Sequence, residues 1–160
     1  MRASGLVMEV FVKRSVVDSI LSYAQIFHPR ESILLLKGKV SKHKLVVDDV
    51  QIPPLATHGS TFSGFPLSTL PIDFSVIGVA HSHPSGALRP SVTDLNKFYG
   101  KIMLITAYPY RSEQNIIILD RKGQQLKYEV TWNISSSTSN RKFSCYYYKT
   151  NSFSLEWPLY

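Results

Sequence analysis

The chain has 160 residues, of which 44% are hydrophobic and 18% are charged, and its formal net charge is +7. This length fits one domain, and this composition excludes a disordered chain. The single cysteine, Cys145, excludes an internal disulfide framework, and no apolar run approaches the length of a membrane span. We expect a soluble protein of the reducing cytoplasm that makes no membrane contact.

The positive charge is spread along the chain, without a run of more than two Lys or Arg residues. Nucleic-acid-binding proteins usually concentrate such charge on a patch, which a sequence does not reveal. A dispersed basic surface also attracts acidic proteins by long-range steering. Charge alone therefore leaves both kinds of partner open.

The first third of the chain predicts a strand, a helix and two further strands. "MEVFV" has the β-branched and aromatic content of a strand. A helix follows in "KRSVVDSILSYAQIF", and Pro29 ends it. "ESILLLKGKVSKHKLVVDDVQI" predicts two strands with a turn between them. The apolar positions at helical spacing are Val16, Val17, Ile20, Leu21, Ala24 and Phe27.

The remaining elements begin after residues 53–70, a segment whose Pro, Gly and hydroxyl content predicts a functional or mobile loop. "FSVIGVAHSHP" predicts a buried strand that emerges at a sheet edge. In "PSVTDLNKFYG", Ser91 as N-cap, Asp94 three residues later and Gly100 predict a helix. "KIMLITAY", "NIIILD" and "QQLKYEV" predict more strands. The fold class is therefore α/β of the mixed α+β kind, with a central mixed sheet flanked by helices.

Two histidines, His81 and His83, stand one residue apart at the end of the predicted buried strand. Residues i and i+2 of a strand project from the same face, so these imidazoles lie side by side while Ser82 faces away. Such a pair can bind zinc, and Asp94 in the next helix supplies a suitable third ligand. The open fourth position then holds a water, whose pKa zinc lowers to about 7.

A simpler explanation of the same residues needs no metal. Ser91 and Asp94 have nearly the spacing of a helix capping box, and a His-x-His pair also arises by chance. Each fragment alone is weak evidence of function. Their conjunction in a strand, loop and helix, with Pro84 following the histidines, is strong and favours a metal site.

The segment "HSHPSGALRPSVTD" resembles the His-x-His-Pro-x6-Ser-x-x-Asp signature of the JAMM (MPN+) metalloprotease family and matches every signature position. That family also has a glutamate far upstream, at the start of a strand after the first helix, and Glu31 occupies that place. The resemblance covers about residues 5–130. It implies a sheet architecture related to the cytidine deaminases, with a catalytic domain over residues 1–130 and a Ser-rich, aromatic extension over residues 131–160.

The resemblance also implies roles for single residues. One Zn²⁺ per chain would be bound by His81, His83 and Asp94. Glu31 would take a proton from the attacking water and later pass it to the leaving amine, as general base and then general acid. Ser91 would donate a hydrogen bond to the oxyanion of the tetrahedral intermediate, a role compatible with capping the helix.

The sequence departs from the family pattern at two places. Leu34 stands where the family often has a glycine, whereas Gly38 matches a second family glycine. A leucine at this position either packs into the core or shifts the strand that aims Glu31. The residues "GVA" replace the aromatic residues that often precede the histidines. These changes touch no expected ligand and bear on substrate fit.

The implied activity is hydrolysis of the amide bond after the C-terminal Gly-Gly of a ubiquitin-like conjugate, as in a compact prokaryotic or archaeal deubiquitinase-like isopeptidase. An extended Gly-Gly tail can add as a strand beside a sheet, with residues 53–70 as one wall of its channel. One alternative is processing of a sulfur-carrier protein or a small peptide. Another is a non-catalytic MPN-type scaffold, which the intact expected ligands argue against. Nucleic-acid binding ranks last, because no recognised motif supports it.

The C-terminal extension, residues 131–160, leaves three roles open. It can dock on its own domain, form a homodimer contact or fold over the cleft. Docking is the default, because so many exposed aromatic side chains would promote association. The aromatic residues concerned are Trp132, Phe143, Tyr146, Tyr147, Tyr148, Phe153, Trp157 and Tyr160.

Overall fold

The computed structural model describes residues 8–54, 57–58, 63–64, 72–96 and 98–132. Cys145 and most of the C-terminal extension lie outside these ranges. The elements in chain order are β1 (Glu9–Lys13), α1 (Arg14–Phe27), β2 (Ile33–Val40), β3 (Lys44–Gln51), β4 (Thr57–His58), β5 (Ser63–Gly64), β6 (Val76–His83), α2 (Val92–Asn96), β7 (Ile102–Ala107), β8 (Ile116–Asp120), β9 (Gln125–Leu126) and β10 (Tyr128–Thr131).

Eight of these strands form one mixed sheet in the order β10-β1-β3-β2-β6-β7-β8-β9. β1 is parallel to β3 and β10, and β6 is parallel to β7, while the other neighbours are antiparallel. The strand predicted to emerge at a sheet edge, β6, lies in the middle of the sheet, and its buried C-terminal end carries the histidines. The central mixed sheet is confirmed.

The two outer strands of this sheet are consecutive in the chain. β9 pairs with β8 on one side, and β10 pairs with β1 on the other, with only Lys127 between them. The single strand predicted for "QQLKYEV" is therefore two short strands. Since one segment joins both sides, the sheet curls towards a closed barrel, and among the described strands its two outer members, β9 and β10, are short.

Helix α1 fills the concave side of the curled sheet. Five of its predicted apolar positions are buried among side chains of the surrounding strands, namely Val16, Val17, Ile20, Leu21 and Ala24. The sixth, Phe27, is only half-buried, and its ring packs 4.7 Å from that of Tyr23. None of the helices in the described ranges has the length and apolarity that crossing a bilayer requires.

A smaller apolar cluster covers the opposite face of the sheet, formed by Leu35, Val79, Met103, Ile105, Ile117 and Leu119. Leu88 and Phe98, from the segments on either side of α2, pack against it. Since side chains alternate along a strand, His81 and His83 share this face with Val79. The helix α2 and the histidines therefore lie on the same side of the sheet.

The predicted loop of residues 53–70 is described only in part. Thr57–His58 and Ser63–Gly64 pair as a separate two-stranded antiparallel sheet, which the sequence did not predict. Residues 55–56, 59–62 and 65–71 lie outside the described ranges. The described part of this segment thus contains one short antiparallel strand pair between β3 and β6.

The described chain ends at Trp132, the first aromatic residue of the predicted extension. Its side chain is 78% exposed, and the Arg14 guanidinium lies 5.4 Å from its ring centroid. This cation–π contact holds Trp132 against the start of α1. The division at residue 130 and the role of the extension remain predictions.

Gly38 has a steric reason to be glycine. It lies at a β-bulge where β2 changes register against β3, and a Cβ there would collide with the carbonyl oxygen of Val46. We expect Gly38→Ala to lower the free energy of unfolding by about 3 kcal/mol, because the strands must separate to admit the methyl group. Urea denaturation measures this change. Lys39→Ala, an exposed substitution on the same strand, should change stability by less than about 0.5 kcal/mol.

Candidate metal centre

The pairing of β2 with β6 brings Glu31 to the histidines. Ile33 lies opposite His81, and the register continues without a shift to Leu36 opposite Gly78. The backbone N–H of Ser82 donates to the Ser32 carbonyl at 3.0 Å, so the pairing extends one residue beyond the start of β2. Glu31 precedes the last paired residue, and the alternation of side chains along the strand places it on the face of His81 and His83.

Leu34 does not disturb this arrangement. It is 4% exposed and packs in the core cluster that surrounds α1. The register of β2 against β6 is regular on both sides of it. Of the two outcomes expected for this departure from the family pattern, core packing is confirmed, and the strand that carries Glu31 is not shifted.

A tight turn after β6 sets the orientation of the His83 ring. The N–H of Gly86 donates to the His83 carbonyl at 3.1 Å, and the φ of Gly86 is 79°, a conformation that favours glycine. The turn brings the Ala87 carbonyl 2.9 Å from His83 Nδ1. Since a carbonyl only accepts, Nδ1 carries a proton, and Nε2 points to the opposite side, where Asp94 lies.

Asp94 faces His83 from the first turn of α2. Its Oδ2 lies 3.3 Å from His83 Nε2, and both side chains are buried. The same oxygen accepts hydrogen bonds from the backbone N–H and the hydroxyl of Ser91, each at 2.7 Å. The Asp94 N–H donates to Ser91 Oγ at 3.1 Å, which completes the predicted capping box. The cap and the histidine contact therefore coexist on one carboxylate.

The charges of this group act on one another. Burial opposes ionisation of Asp94, but hydrogen bonds from His83 and from both Ser91 donors outweigh it and hold the Asp94 pKa well below its usual range. Burial likewise lowers the pKa of His83, but its contacts with Asp94 and Ala87, helped by the charge of Glu31, raise the pKa overall. His81 also contributes to lowering the pKa of Asp94. The side chains of Glu31, His81, His83 and Asp94 are thus electrostatically coupled.

The donor set fits a zinc ion, although the ligands are not fully assembled. Within the described residues, no three His, Cys, Asp or Glu side chains are grouped closely enough to hold a metal. The 3.3 Å between His83 Nε2 and Asp94 Oδ2 nevertheless matches two ligands of one tetrahedral zinc. Bonds of about 2.0–2.1 Å at the tetrahedral angle place two donors about 3.3 Å apart. Two imidazoles and a carboxylate are also a donor set that suits zinc.

Ser91 has a structural role in this arrangement. Its side chain is exposed, and its hydroxyl donates to Asp94 while accepting from the Asp94 N–H. These contacts orient the carboxylate towards His83. The role of Ser91 as a donor to an oxyanion remains a prediction.

Three buried hydroxyl residues near the centre were assigned no role from the sequence. Ser82 turns away from the histidine face, as predicted, and meets Ser32 on the face of α1. Tyr110 follows β7, is 1% exposed, and has a φ of 56°. Burial raises the pKa of Tyr110, against the effect of the neighbouring Ser82 hydroxyl, and the Glu31 charge raises it further. The sequence did offer a signal for the two serines, since Ser32 directly follows Glu31 and Ser82 stands between the histidines.

Residues 13–122 match the family model for prokaryotic homologs of the JAB domain. The chain belongs to this family, a prokaryotic branch of the JAMM/MPN proteins. A probable metalloprotease of Haloferax volcanii is 36% identical to this JAMM/MPN chain over 118 residues, which cover 64% of the chain and 73% of the relative. The family assignment made from the histidine signature is confirmed.

Solved structures support the same assignment. A JAB1/MPN domain protein from Archaeoglobus fulgidus is 34% identical, with a TM-score of 0.55 over 74% of this chain and 96% of its own. A structure described as a JAMM metalloprotease-like zinc site in the proteasome and signalosome is 31% identical, with a TM-score of 0.54 over 78% and 98%. A Desulfitobacterium hafniense protein solved in solution, 15% identical, shares the fold with a TM-score of 0.52 over 82% and 99%. The JAMM/MPN fold is thus confirmed.

The capping box offers a direct test of the α2 geometry. We expect Ser91→Ala to lower the free energy of unfolding by about 1 kcal/mol, because the Asp94 N–H loses its acceptor and the carboxylate loses a donor. Chemical denaturation measures the change. Ser85→Ala, an exposed serine in the preceding turn, is the matched control and should leave stability nearly unaltered. Equal stability of the two variants would contradict the cap.

Proposed function

We propose that this protein is a zinc-dependent isopeptidase that hydrolyses the amide bond after the C-terminal Gly-Gly of a ubiquitin-like conjugate. The observation that carries the proposal is the convergence of Glu31, His83 and Asp94 at one end of the sheet, in a chain of the JAMM/MPN family. The description of the Haloferax volcanii relative as a probable metalloprotease supports the reaction class.

His81, His83 and Asp94 are the residues that would bind the zinc. When bound, zinc acidifies a water molecule and polarises a carbonyl oxygen. The protein's own contribution is to fix these ligands. The Ala87 carbonyl orients the His83 ring, and Ser91 orients the Asp94 carboxylate. Partners of this kind set the tautomer and basicity of metal ligands.

Glu31 is the proposed proton carrier. Glu31 is half-buried, the register of β2 against β6 aligns it with His83, and its charge raises the pKa of His83 slightly. In the proposed reaction it accepts a proton from the attacking water and returns it to the leaving amine as the C–N bond breaks. The exposed Ser91 hydroxyl is the proposed donor to the substrate oxyanion. To act there, it must give up the hydrogen bond that it donates to Asp94.

The short β4–β5 sheet is the proposed docking element for an extended substrate tail. Both outer strands of the large sheet are joined through Lys127, whereas β4 and β5 pair only with each other among the described strands. An extended Gly-Gly tail could add to this two-stranded sheet through backbone hydrogen bonds. The chain enters β6, the strand of the histidines, soon after this sheet. We propose a cytoplasmic location, since a single cysteine suits a reducing compartment.

The deciding experiment incubates the purified protein with a fusion that carries a ubiquitin-like domain, its C-terminal Gly-Gly and a lysine-linked or peptide-linked cargo. We expect cleavage directly after Gly-Gly, loss of cleavage with a chelator, and recovery with added zinc. Cleavage of a sulfur-carrier precursor or a small peptide in place of this fusion would overturn the proposed substrate. If the purified protein binds no zinc and cleaves none of these three substrates, it is a non-catalytic scaffold.

Glu31→Gln separates metal binding from proton transfer. We expect zinc content to stay at one equivalent while kcat falls by at least about a hundredfold, because the amide cannot accept the proton. Metal analysis and steady-state kinetics measure the two effects. Glu129→Gln, an exposed substitution on β10, is the matched control and should keep full activity. Retained turnover in Glu31→Gln would show that another group is the base.

Asp94→Ala tests the carboxylate as a ligand. We expect zinc affinity to fall by at least about tenfold and activity to fall with it, because His83 loses its partner across the metal position. Competition with a chelating dye measures the affinity. Asp120→Ala removes a carboxylate that accepts two backbone N–H bonds in the turn after β8, at the other end of the sheet, and should leave zinc affinity unaltered. Normal affinity in Asp94→Ala would remove Asp94 from the ligand set.

A further inference from the structure

Two buried serines clasp each other on the side of the sheet opposite the metal centre. The backbone N–H of Ser32 donates to Ser82 Oγ at 2.8 Å, and the Ser32 hydroxyl donates to the same oxygen at 2.9 Å. Ser32 is 4% exposed and Ser82 is 1% exposed. We refer to this pair as the serine clasp.

The clasp completes the strand pairing at the point where the backbone ladder ends. In an antiparallel hydrogen-bonded pair, the two residues exchange two backbone bonds. Ser82 donates its N–H to the Ser32 carbonyl, but the return bond from the Ser32 N–H goes to the Ser82 hydroxyl. A side chain thus supplies the last link that holds residue 32 against β6.

That link is adjacent to the proposed proton carrier. Glu31 directly precedes Ser32, and upstream of it the chain turns at residues 28–30, where Arg30 N–H donates to the Phe27 carbonyl at 2.8 Å. The backbone of Glu31 is therefore held from one side by the clasp and from the other by the turn that ends α1. A displacement of Ser32 would move the Glu31 carboxylate relative to His83.

We propose that Ser82 and Ser32 are positioning residues for Glu31, acting through the backbone from the far side of the sheet. The proposal rests on the proposed role of Glu31 in proton transfer. Ser82, which stands between the two histidines, then has a separate role: it faces away from the metal position and holds Glu31 in place. An error of about 1 Å in such a group can lower the rate by about a hundredfold.

The neighbouring strand supplies a matched control. Thr106 lies opposite Ser82 on β7 and is also 1% exposed, but its hydroxyl makes no hydrogen bond to any described residue. Thr106→Val removes this hydroxyl with almost no change in shape. It reports the effect of deleting a buried hydroxyl beside Ser82 without breaking the clasp.

The kinetic test compares Ser82→Ala, Ser32→Ala and Thr106→Val on the Gly-Gly fusion. Ser82→Ala loses both bonds of the clasp, so we expect kcat to fall by about tenfold to a hundredfold with little change in KM. Ser32→Ala keeps the backbone bond and should lose less, and Thr106→Val should match the wild type. The double variant Ser32→Ala/Ser82→Ala should equal Ser82→Ala, because the two changes remove one unit. Ser82→Thr, which restores a hydroxyl, should recover most of kcat.

Two readouts independent of turnover accompany the kinetics. Zinc affinity should be the same in Ser82→Ala and the wild type, and crystal structures should show the Glu31 carboxylate displaced relative to His83 in Ser82→Ala but not in Thr106→Val. Three results would each overturn the positioning role of the clasp: an undisplaced Glu31 in Ser82→Ala, an unaltered kcat in Ser82→Ala, or an equal loss of kcat in Thr106→Val. If the wild type cleaves no substrate, the proposed function fails, but the position of Glu31 in the Ser82→Ala structure still tests the positioning role.

Discussion

The register of β2 against β6 is the constraint on which the site depends. Glu31 and His83 are 52 positions apart in the sequence, and they share one end of the sheet because Ile33 lies opposite His81. Side chains alternate faces along a strand, so a slip of one residue would turn Glu31 to the side of α1. Particular contacts fix this register, since Leu34 packs with α1, Leu35 packs in the opposite cluster and Ser32 is hydrogen-bonded to Ser82. The packing of β2 thus specifies that Glu31 lies on the face of the histidines.

Helix capping and the contact with His83 share one carboxylate in this protein. Asp94 satisfies the N-terminus of α2 through Ser91 and contacts His83 with the same oxygen. A buried carboxylate needs such partners even without a metal, because an unpaired buried charge is costly. The cap therefore keeps the carboxylate ionised and aimed at the imidazole, which is the state a cation requires. Preorganisation of this kind lowers the cost of binding.

Much of the fold and most of the candidate site could be predicted from local sequence. The spacing of Val16, Val17, Ile20, Leu21 and Ala24 indicated α1, and the offsets from His81 to Asp94 indicated the strand, loop and helix of the site. What the sequence did not predict depends on distant pairing. The split of "QQLKYEV" follows from two different partner strands, and the central place of β6 follows from β2 and β7. The bond between Ser32 and Ser82 likewise exists only once the two strands have paired.

The joining of both sides of the sheet through Lys127 has a consequence for synthesis on the ribosome. β1 is among the first described elements to be made, yet one of its two neighbours, β10, is made more than a hundred residues later. Contacts of such long sequence separation form slowly. Until β10 leaves the exit tunnel, one flank of β1 has no partner strand and exposes unpaired backbone N–H and C=O groups. Emergence of β10, rather than emergence of the histidines, is therefore the moment at which β1 has both of its partner strands.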